Sequence, residues 1–572
     1  MSSPTGIHAS SDAKRVVIIG GGIGGITAGI KVKRDLGFDN FTLYEQSDGV
    51  GGTWHFNTYP GCKADVGTHW YSLSSDVDSD WDTSHVTQPD LLKYWTGLTV
   101  KYGVDKHIVL NTSVTSVRWD EEKQIYHLQV EDVKTGEKRT DYANAVISAV
   151  GQLSIPHYTE ELEGSKTKFK GVRFHSSRWD HTVDLRNKRV AVIGNGCTAC
   201  QFIPVIAREP TTQIVNFCRS PGWYLPEIRI YLPKIIRLIM TYVPFVKTIA
   251  RYAVFFQHEF YYFTFFNTSS IIRFVLSQYI KLQTPKKYHS QIVPPQGEIL
   301  CQLVPYKTIN SGRRTLAPGC KRFIVDSGYL KALNLDNLDV NYDGVKEITE
   351  TGIVTKKGQH MDFDVIIEAT GFIADEYPVS VTGIGGKTIQ EYYREQGGPT
   401  AYLGTTVPGF PNFFTILGKR PNTITGHGSI AFTEESQAHY ILQFLEPIIN
   451  GWASSFNVTE KATNAWNSQL HKRLSSSVWS SCTSWYRAGH TGKITSVWPG
   501  FIFRQWFVYR KPVWNDYVAS NGAEWERHRR SAHTVSLAKD LFWVGLCLAA
   551  GLNWKLLQDV SSVMLQKVRL SV

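Results

Sequence analysis

Long hydrophobic runs are absent from this 572-residue chain. None reaches the roughly 20 apolar residues that cross a bilayer, so no membrane span is expected. Residues 1–14 are polar, and the first apolar segment already reads as a strand, which argues against a secretory signal. Cysteine is scarce: 8 residues, scattered at 62, 197, 200, 218, 301, 320, 482 and 547, form no disulfide framework. A reducing, cytoplasmic location is expected. The Asn-x-Ser/Thr sequons at Asn40, Asn111, Asn267 and Asn457 then read as chance. No basic block or nucleic-acid motif accompanies the net charge of +11, so nucleic acid is not an expected partner. Polyanionic small-molecule ligands and a solvated surface account for that charge. No metal site is expected, and no low-complexity tract lies beyond the first ~12 residues.

What is present is a repeated phosphate-binding loop with a different charge after each copy. Residues 15–19 lead into Gly20-Gly-Gly22-Ile-Gly-Gly25, and Arg189–Ile193 leads into Gly194-Asn-Gly196-Cys-Thr198-Ala199. Twenty residues beyond Gly25 stands Glu45, and twenty beyond Ala199 stands Arg219. Glycines let the backbone approach a pyrophosphate, and the helix N-terminus that follows offers N–H donors and positive potential. A carboxylate at the later position accepts from a ribose hydroxyl, whereas a cation there suits a ribose 2′-phosphate. One such loop is a weak signal. Two, each with its strand, helix-compatible stretch and polar residue in place, point to two dinucleotides, and FAD plus NADPH is the natural pairing. Cys197-x-x-Cys200 falls inside the second loop and its helix, where small residues allow close packing, and reads as structural.

Residues 15–55 read as a βαβ unit, and 188–218 as a second. Residues 125–130 alternate, 134–137 make a turn, and 145–150 form a buried strand; strands resume near 340–342 and 364–367. The expected class is α/β, with two Rossmann-like domains, the second inserted in the first. Residues 1–155 start the FAD-binding domain. Residues 156–368 form the NADPH-binding domain, with a mostly helical, aromatic insertion at about 222–300. Residues 369–510 complete the first domain and carry an active-site loop, and 511–572 form a C-terminal helical extension. Aromatic residues make up 13% of the chain, which suits pockets for flat rings as well as core. The apolar segments 233–266 and 541–552 are candidates for peripheral contact with a membrane. Their helical spacing favours the alternative, that both pack against the protein.

Gly51-Gly-Thr53-Trp54 follows Glu45 closely. Flavin disulfide reductases carry a cysteine pair in this region, but here Trp54 replaces the first cysteine and Cys62 has no close partner. Molecular oxygen is therefore the expected electron acceptor. The string Phe169-Lys-Gly171-Val-Arg-Phe-His175-Ser-Ser-Arg-Trp179-Asp180 matches FxGxxxHxxxW(P/D) at every fixed position. With it the chain resembles the type I Baeyer–Villiger monooxygenases, FAD- and NADPH-dependent class B flavoproteins, over about residues 15–510. It looks most like fungal members that act on bulky natural-product ketones. Tyr59-Pro-Gly with Asp65, Arg219-Ser220-Pro, Lys321-Arg322, Ala369-Thr-Gly-Phe372 and Ser484-Trp485-Tyr486 share in the resemblance, while 511–572 find no counterpart.

The resemblance implies that Arg322 is the active-site arginine, its permanent charge stabilising negative charge on the reacting oxygen. Asp65 pairs with it and orients it. Glu45, Thr53, Trp54, Asp65 and Tyr71 fall on the flavin side. Lys321, Arg219 and Ser220 fall at the 2′-phosphate, and Trp485 in a mobile loop over NADP. His175 is expected to transmit domain motion rather than to act as acid or base. The implied reaction converts a small-molecule ketone, with O2 and NADPH, to an ester or lactone in secondary metabolism. Two other readings stand beside it. One is an N- or S-oxidising flavin monooxygenase, disfavoured by Trp179-Asp180 and by Lys321-Arg322. The other is a non-catalytic FAD- and NADPH-binding redox sensor, against which every charged group of the site is present.

Overall fold

Two parallel five-stranded sheets organise the molecule, and the second interrupts the first. The computed structural model describes residues 13–159, 169–267, 269–294, 318–373, 376–418, 424–425, 428–480, 484–490 and 492–531. The first sheet runs, in spatial order, Phe413–Thr415, Ala145–Ser148, Val16–Ile19, Phe41–Tyr44 and Ile108–Val109. The second runs Leu338–Asn341, Gln213–Phe217, Arg189–Ile193, Val365–Glu368 and Val172–His175. The chain therefore leaves the first sheet after 148, builds the second between 172 and 368, and returns at 413. Val16–Ile19, Ala145–Ser148 and Val365–Glu368 are buried at every position. Such unbroken burial is what a parallel sheet covered on both faces demands.

Each central strand feeds a glycine loop and then a helix, Ile23–Leu36 in the first domain and Cys197–Ile206 in the second. The first helix buries every residue from Ile23 to Val32 and stops at Gly37, whose φ of 61° lets its N–H close on the Val32 carbonyl. A four-stranded sheet of Ser380–Thr382, Thr112–Asp120, Ile125–Asp132 and Lys138–Ala143 lies against the first domain. Its inward Val117, Tyr126 and Leu128 join a core shared with Phe413. The two crossings between the domains pair with each other, Phe372 opposite Pro156 and Ile373 opposite Ile155.

Three expectations need correction. The insertion is helical, over Lys234–Tyr242, Val246–Asn267 and Ser269–Gln283, but it does not pack throughout. Val246–Asn267 buries Arg251 and Glu259 and lays Phe255 on Trp70 at 5.2 Å, whereas Lys234–Tyr242 buries only Met240. Helical spacing identifies a helix; it does not say that protein covers its apolar face. The C-terminal extension is not helical throughout: between the 3-10 turn Trp514–Asp516 and a helix over 523–531 it forms the strand Tyr517–Ser520, antiparallel to Ser455–Val458. Its apolar segment 541–552 lies outside the described residues. Finally, Cys62, Cys197, Cys200 and Cys218 are free thiols, but Cys320 is disulfide-bonded. Among the described residues no single helix is long and apolar enough to cross a membrane.

The third small residue of each loop gives a direct comparison. A Cβ on Gly25 would stand 1.9 Å from the Gly20 carbonyl oxygen, while Ala199 at the matching place is accommodated and fully buried. Gly25→Ala should destabilise the protein by on the order of 2–4 kcal/mol or abolish soluble expression. Ala199→Gly should cost only about 1 kcal/mol, the usual helix penalty. Thermal or denaturant unfolding of the two variants checks this, and equal losses would refute the packing argument.

Candidate active site

The first loop sits on glycine alone. Gly20 holds φ 101° beneath the Ala149 carbonyl, and Gly22 starts the helix with no side-chain cap and no acid in the first turn. A Cβ on Gly52 would come within 2.8 Å of the Gly22 Cα, so the Gly51–Gly52 turn closes directly on the loop. Glu45 lies buried beside it; Oε2 accepts from the Gly21 N–H at 2.6 Å, and Oε1 accepts from Ser47 N–H and Oγ. Thr53 opens a short helix to Phe56, and within it Trp54 is buried, its Nε1 donating to the Tyr71 hydroxyl at 3.3 Å. The glycine floor and the uncapped helix start fit a dinucleotide pyrophosphate.

The second loop repeats this design with cations. Gly194 takes φ 110° under the Ala369 carbonyl, and a Cβ on Gly196 would meet nothing within 4 Å. The helix that begins at Cys197 and includes Thr198 and Ala199 likewise has no side-chain cap. Asn195 Nδ2 donates to the Ser220 carbonyl at 2.9 Å, and Lys321 Nζ donates to Ser220 Oγ at 2.6 Å. Burial, and then the charge of nearby Arg219, hold the Lys321 ammonium below its ordinary pKa. Among the described residues no carboxylate offsets that effect. Two cations share a site whose missing counter-charge is an anion, and a ribose 2′-phosphate fits it.

Between the loops lies an ion pair. Arg322 donates from Nη2 at 2.6 Å and from Nε at 3.2 Å to the same Asp65 oxygen. Side-chain exposures of 34% for Arg322 and 22% for Asp65 show a half-buried pair that keeps some access to solvent. Asp65 holds the guanidinium pKa above its ordinary value. Burial opposes the charge on Asp65, but Arg322 outweighs it and keeps the carboxyl below its usual range. The Asp65 segment is fastened across the domain boundary: Tyr59 donates to Gln201 Oε1 at 2.9 Å, Gln201 Nε2 donates to the Lys63 carbonyl, and Lys63 pairs with Glu227 at 2.7 Å. Arg322 lies just ahead of the strand Ile324–Asp326, which pairs with Tyr224–Pro226.

Sequence reasoning missed three neighbours. The Cys197 thiol and the Tyr486 hydroxyl both feel the Arg322 charge; burial pushes the first up to about 11 and the second, against that charge, up to about 12. Cys197-x-x-Cys200 is thus a packed, protonated pair of side chains, as read. Glu434 is the third. Its carboxyl approaches Gly24 and Tyr71, Oε2 is buried without a hydrogen bond, and burial raises its pKa to about 8. Nothing in Thr433-Glu434-Glu435 marks one glutamate as buried and its neighbour as a surface partner of Ser74. Trp485 is partly buried with Leu470, Leu474 and Trp479, its ring 4.7 Å from Tyr486.

The fingerprint string forms the edge strand Val172–His175 and the turn after it. His175 Nδ1 accepts from the Ser177 N–H, its ring lies between Tyr158 and Phe372, and burial pushes its pKa down to about 4. It is a neutral cap at the domain crossing.

Comparison with known proteins agrees with this geometry. The flavin-binding monooxygenase-like family matches residues 13–231. A Baeyer–Villiger monooxygenase of Pseudomonas aeruginosa is 35% identical over 495 residues, spanning 86% of this chain and 88% of its own length. The FAD-binding monooxygenase ktnD of Aspergillus niger is 30% identical over 560 residues, 94% of this chain and 88% of its own. Among solved structures, an oxidised steroid monooxygenase bound to NADP superposes with a TM-score of 0.73 at 25% identity, over 89% of this chain and 100% of that one. The chain belongs to the flavin-binding monooxygenases, on their Baeyer–Villiger branch.

Glu434 sets a pH dependence. Its folded carboxyl keeps a proton to about pH 8, whereas an unfolded glutamate loses it near pH ~4.3. Between these values the folded state binds more protons, so stability falls as pH rises through that window. Glu434→Gln removes this slope and should gain on the order of 2–4 kcal/mol over the parent at pH 8, and nothing near pH 4. Unfolding of both proteins across that range measures the difference; parallel curves would show an ordinary, ionised glutamate.

Proposed function

We propose that this protein is an FAD- and NADPH-dependent monooxygenase that inserts one oxygen atom of O2 beside a ketone carbonyl, giving an ester or lactone. The observation that carries this reading is the half-buried Asp65–Arg322 pair, joined across the two domains beside the helix of the second dinucleotide loop. Gly20, Gly22, Gly25 and Glu45 would hold FAD, with Thr53, Trp54, Asp65 and Tyr71 toward its ring. Gly194, Gly196, Thr198 and Ala199 would hold the NADPH pyrophosphate, with Arg219, Ser220 and Lys321 on the 2′-phosphate and Trp485 over the cofactor. Reduced by NADPH, the bound flavin supplies the electrons that activate O2.

The chain's own residues supply charge and shelter. Arg322 keeps its protons at any working pH, so it donates hydrogen bonds to an anionic oxygen without neutralising it by proton transfer. Asp65 fixes the guanidinium in one orientation and leaves Nη1 free of that contact. Buried Tyr71 and Tyr486 stay protonated near the pair and exclude water from it. These aromatic walls suit a bulky, apolar ketone of secondary metabolism, the substrate class we assign.

Two measurements test this reading. With 18O2 and a panel of cyclic ketones, the parent should give lactone carrying one labelled atom. Arg322→Ala should lower that product by about 10²–10³-fold while NADPH still reduces the flavin. Thioether oxidation with no ketone product would overturn the assignment. Arg219→Ala should raise KM for NADPH roughly tenfold and leave KM for NADH nearly unchanged; an unaltered preference would remove Arg219 from the site.

A further inference from the structure

The helical insertion carries an apolar ridge that the reaction does not use. In Lys234–Tyr242, Ile235, Ile236, Leu238, Ile239 and Tyr242 all stand exposed. The chain then bends by 109° into the next helix. Phe245, at that corner, takes φ 67°, a left-handed conformation that is strained for a bulky side chain, and its ring is 76% exposed. Packing within the protein does not explain strain that presents a phenyl ring outward.

Charge identifies what covers the ridge. Residues 228–290 contain nine Lys and Arg and a single acid, Glu259, which is buried. Arg237 is engaged by Asp80 at 2.8 Å and Arg251 by Glu435 at 3.7 Å, but Lys234 and Lys247 sit exposed beside the apolar residues. Asp80 and Asp82 lie on the adjoining loop, but the cations that stand among the apolar residues are the exposed Lys234 and Lys247, and an anionic surface complements these. We propose that the insertion docks on an anionic bilayer surface, with the ridge from Ile235 to Phe245 among the acyl chains and Lys234 and Lys247 at the headgroups. The opposite face of Val246–Asn267 is fastened to the segment that carries Tyr71. Arg251 Nη1 donates to the His69 and Ser72 carbonyls, and its guanidinium lies 4.8 Å over Trp70. Docking therefore places lipid on an element continuous with the helix that Arg251 fastens to the Tyr71 segment.

The test is flotation of the full-length protein with vesicles of phosphatidylcholine alone or with about one-third phosphatidylglycerol, with no turnover in the readout. The parent should float with the anionic vesicles, and severalfold less with neutral ones or at high salt. The combined variant Ile235→Ser, Tyr242→Ser and Phe245→Ser should lose at least about tenfold of the bound fraction. Its oxidation of a water-soluble ketone without vesicles should be unchanged, which certifies the fold and scores the enzymatic reading separately. The docking proposal is overturned if the parent floats with neither vesicle or if the variant floats as well as the parent. A parent that dimerises through the ridge and ignores lipid would overturn it equally.

Discussion

The Asp65–Arg322 ion pair is the charged link between the two domains on which the proposed chemistry depends. Asp65 belongs to the first domain, Arg322 reaches it from the second, and Tyr486 and Cys197 close around the arginine. Two charges held away from bulk water are expensive unless geometry is good and the partner is fixed. The fold meets that condition by tying the Asp65 segment to the helix after the second glycine loop, through Tyr59, Gln201 and Lys63. The pair is thus less a source of stability than a consequence of docking the two domains in one orientation. It leaves an arginine whose charge is permanent and whose direction is set.

The residue next door obeys the opposite rule. Lys321 has a cation for a neighbour and no acid, and its charge is disfavoured by burial and by Arg219. Adjacent residues therefore serve two sites of different electrostatics: one arginine already paired, one lysine awaiting an anion. A substitution that swapped these environments would neutralise Arg322's task and leave the phosphate site with an internal counter-ion. In the function proposed above, specificity for a phosphorylated nucleotide would follow from leaving that second site unbalanced.

The sequence shows the local part of this arrangement and little of the rest. The strand, glycine loop and helix are encoded within some thirty residues each, and every strand read from periodicity is present. Asp65 and Arg322 stand 257 residues apart with no spacing to connect them; only the family resemblance paired them. Glu434 and Glu435 are chemically identical in the sequence; what separates them is that Glu435 has Ser74 and Arg251 as partners while Glu434 Oε2 is buried without a hydrogen bond. The insertion shows the converse failure. Apolar helical spacing reads as core, but Lys234–Tyr242 turns that face outward, because pattern fixes a helix's periodicity and not its neighbours.

The fingerprint string lies at the junction of the two domains. It was the most specific motif in the sequence, yet none of its side chains reaches the ion pair. Val172–His175 instead forms the edge of the second sheet beside Val365–Glu368, at the place where both crossings between the domains meet. Arg173 donates from Nε to Glu368 at 2.6 Å, and the same carboxylate accepts from Thr159 N–H and Oγ in the other crossing. Trp179 packs on Phe174 and on Phe202 of the glycine-loop helix, which touches Tyr59 in the Asp65 segment. One packed path of contacts thus runs from the nucleotide helix to the crossings and to the Asp65 segment. The motif is held by packing and hydrogen bonds where the two domains meet, and a neutral His175 fits that buried place better than a protonated one would.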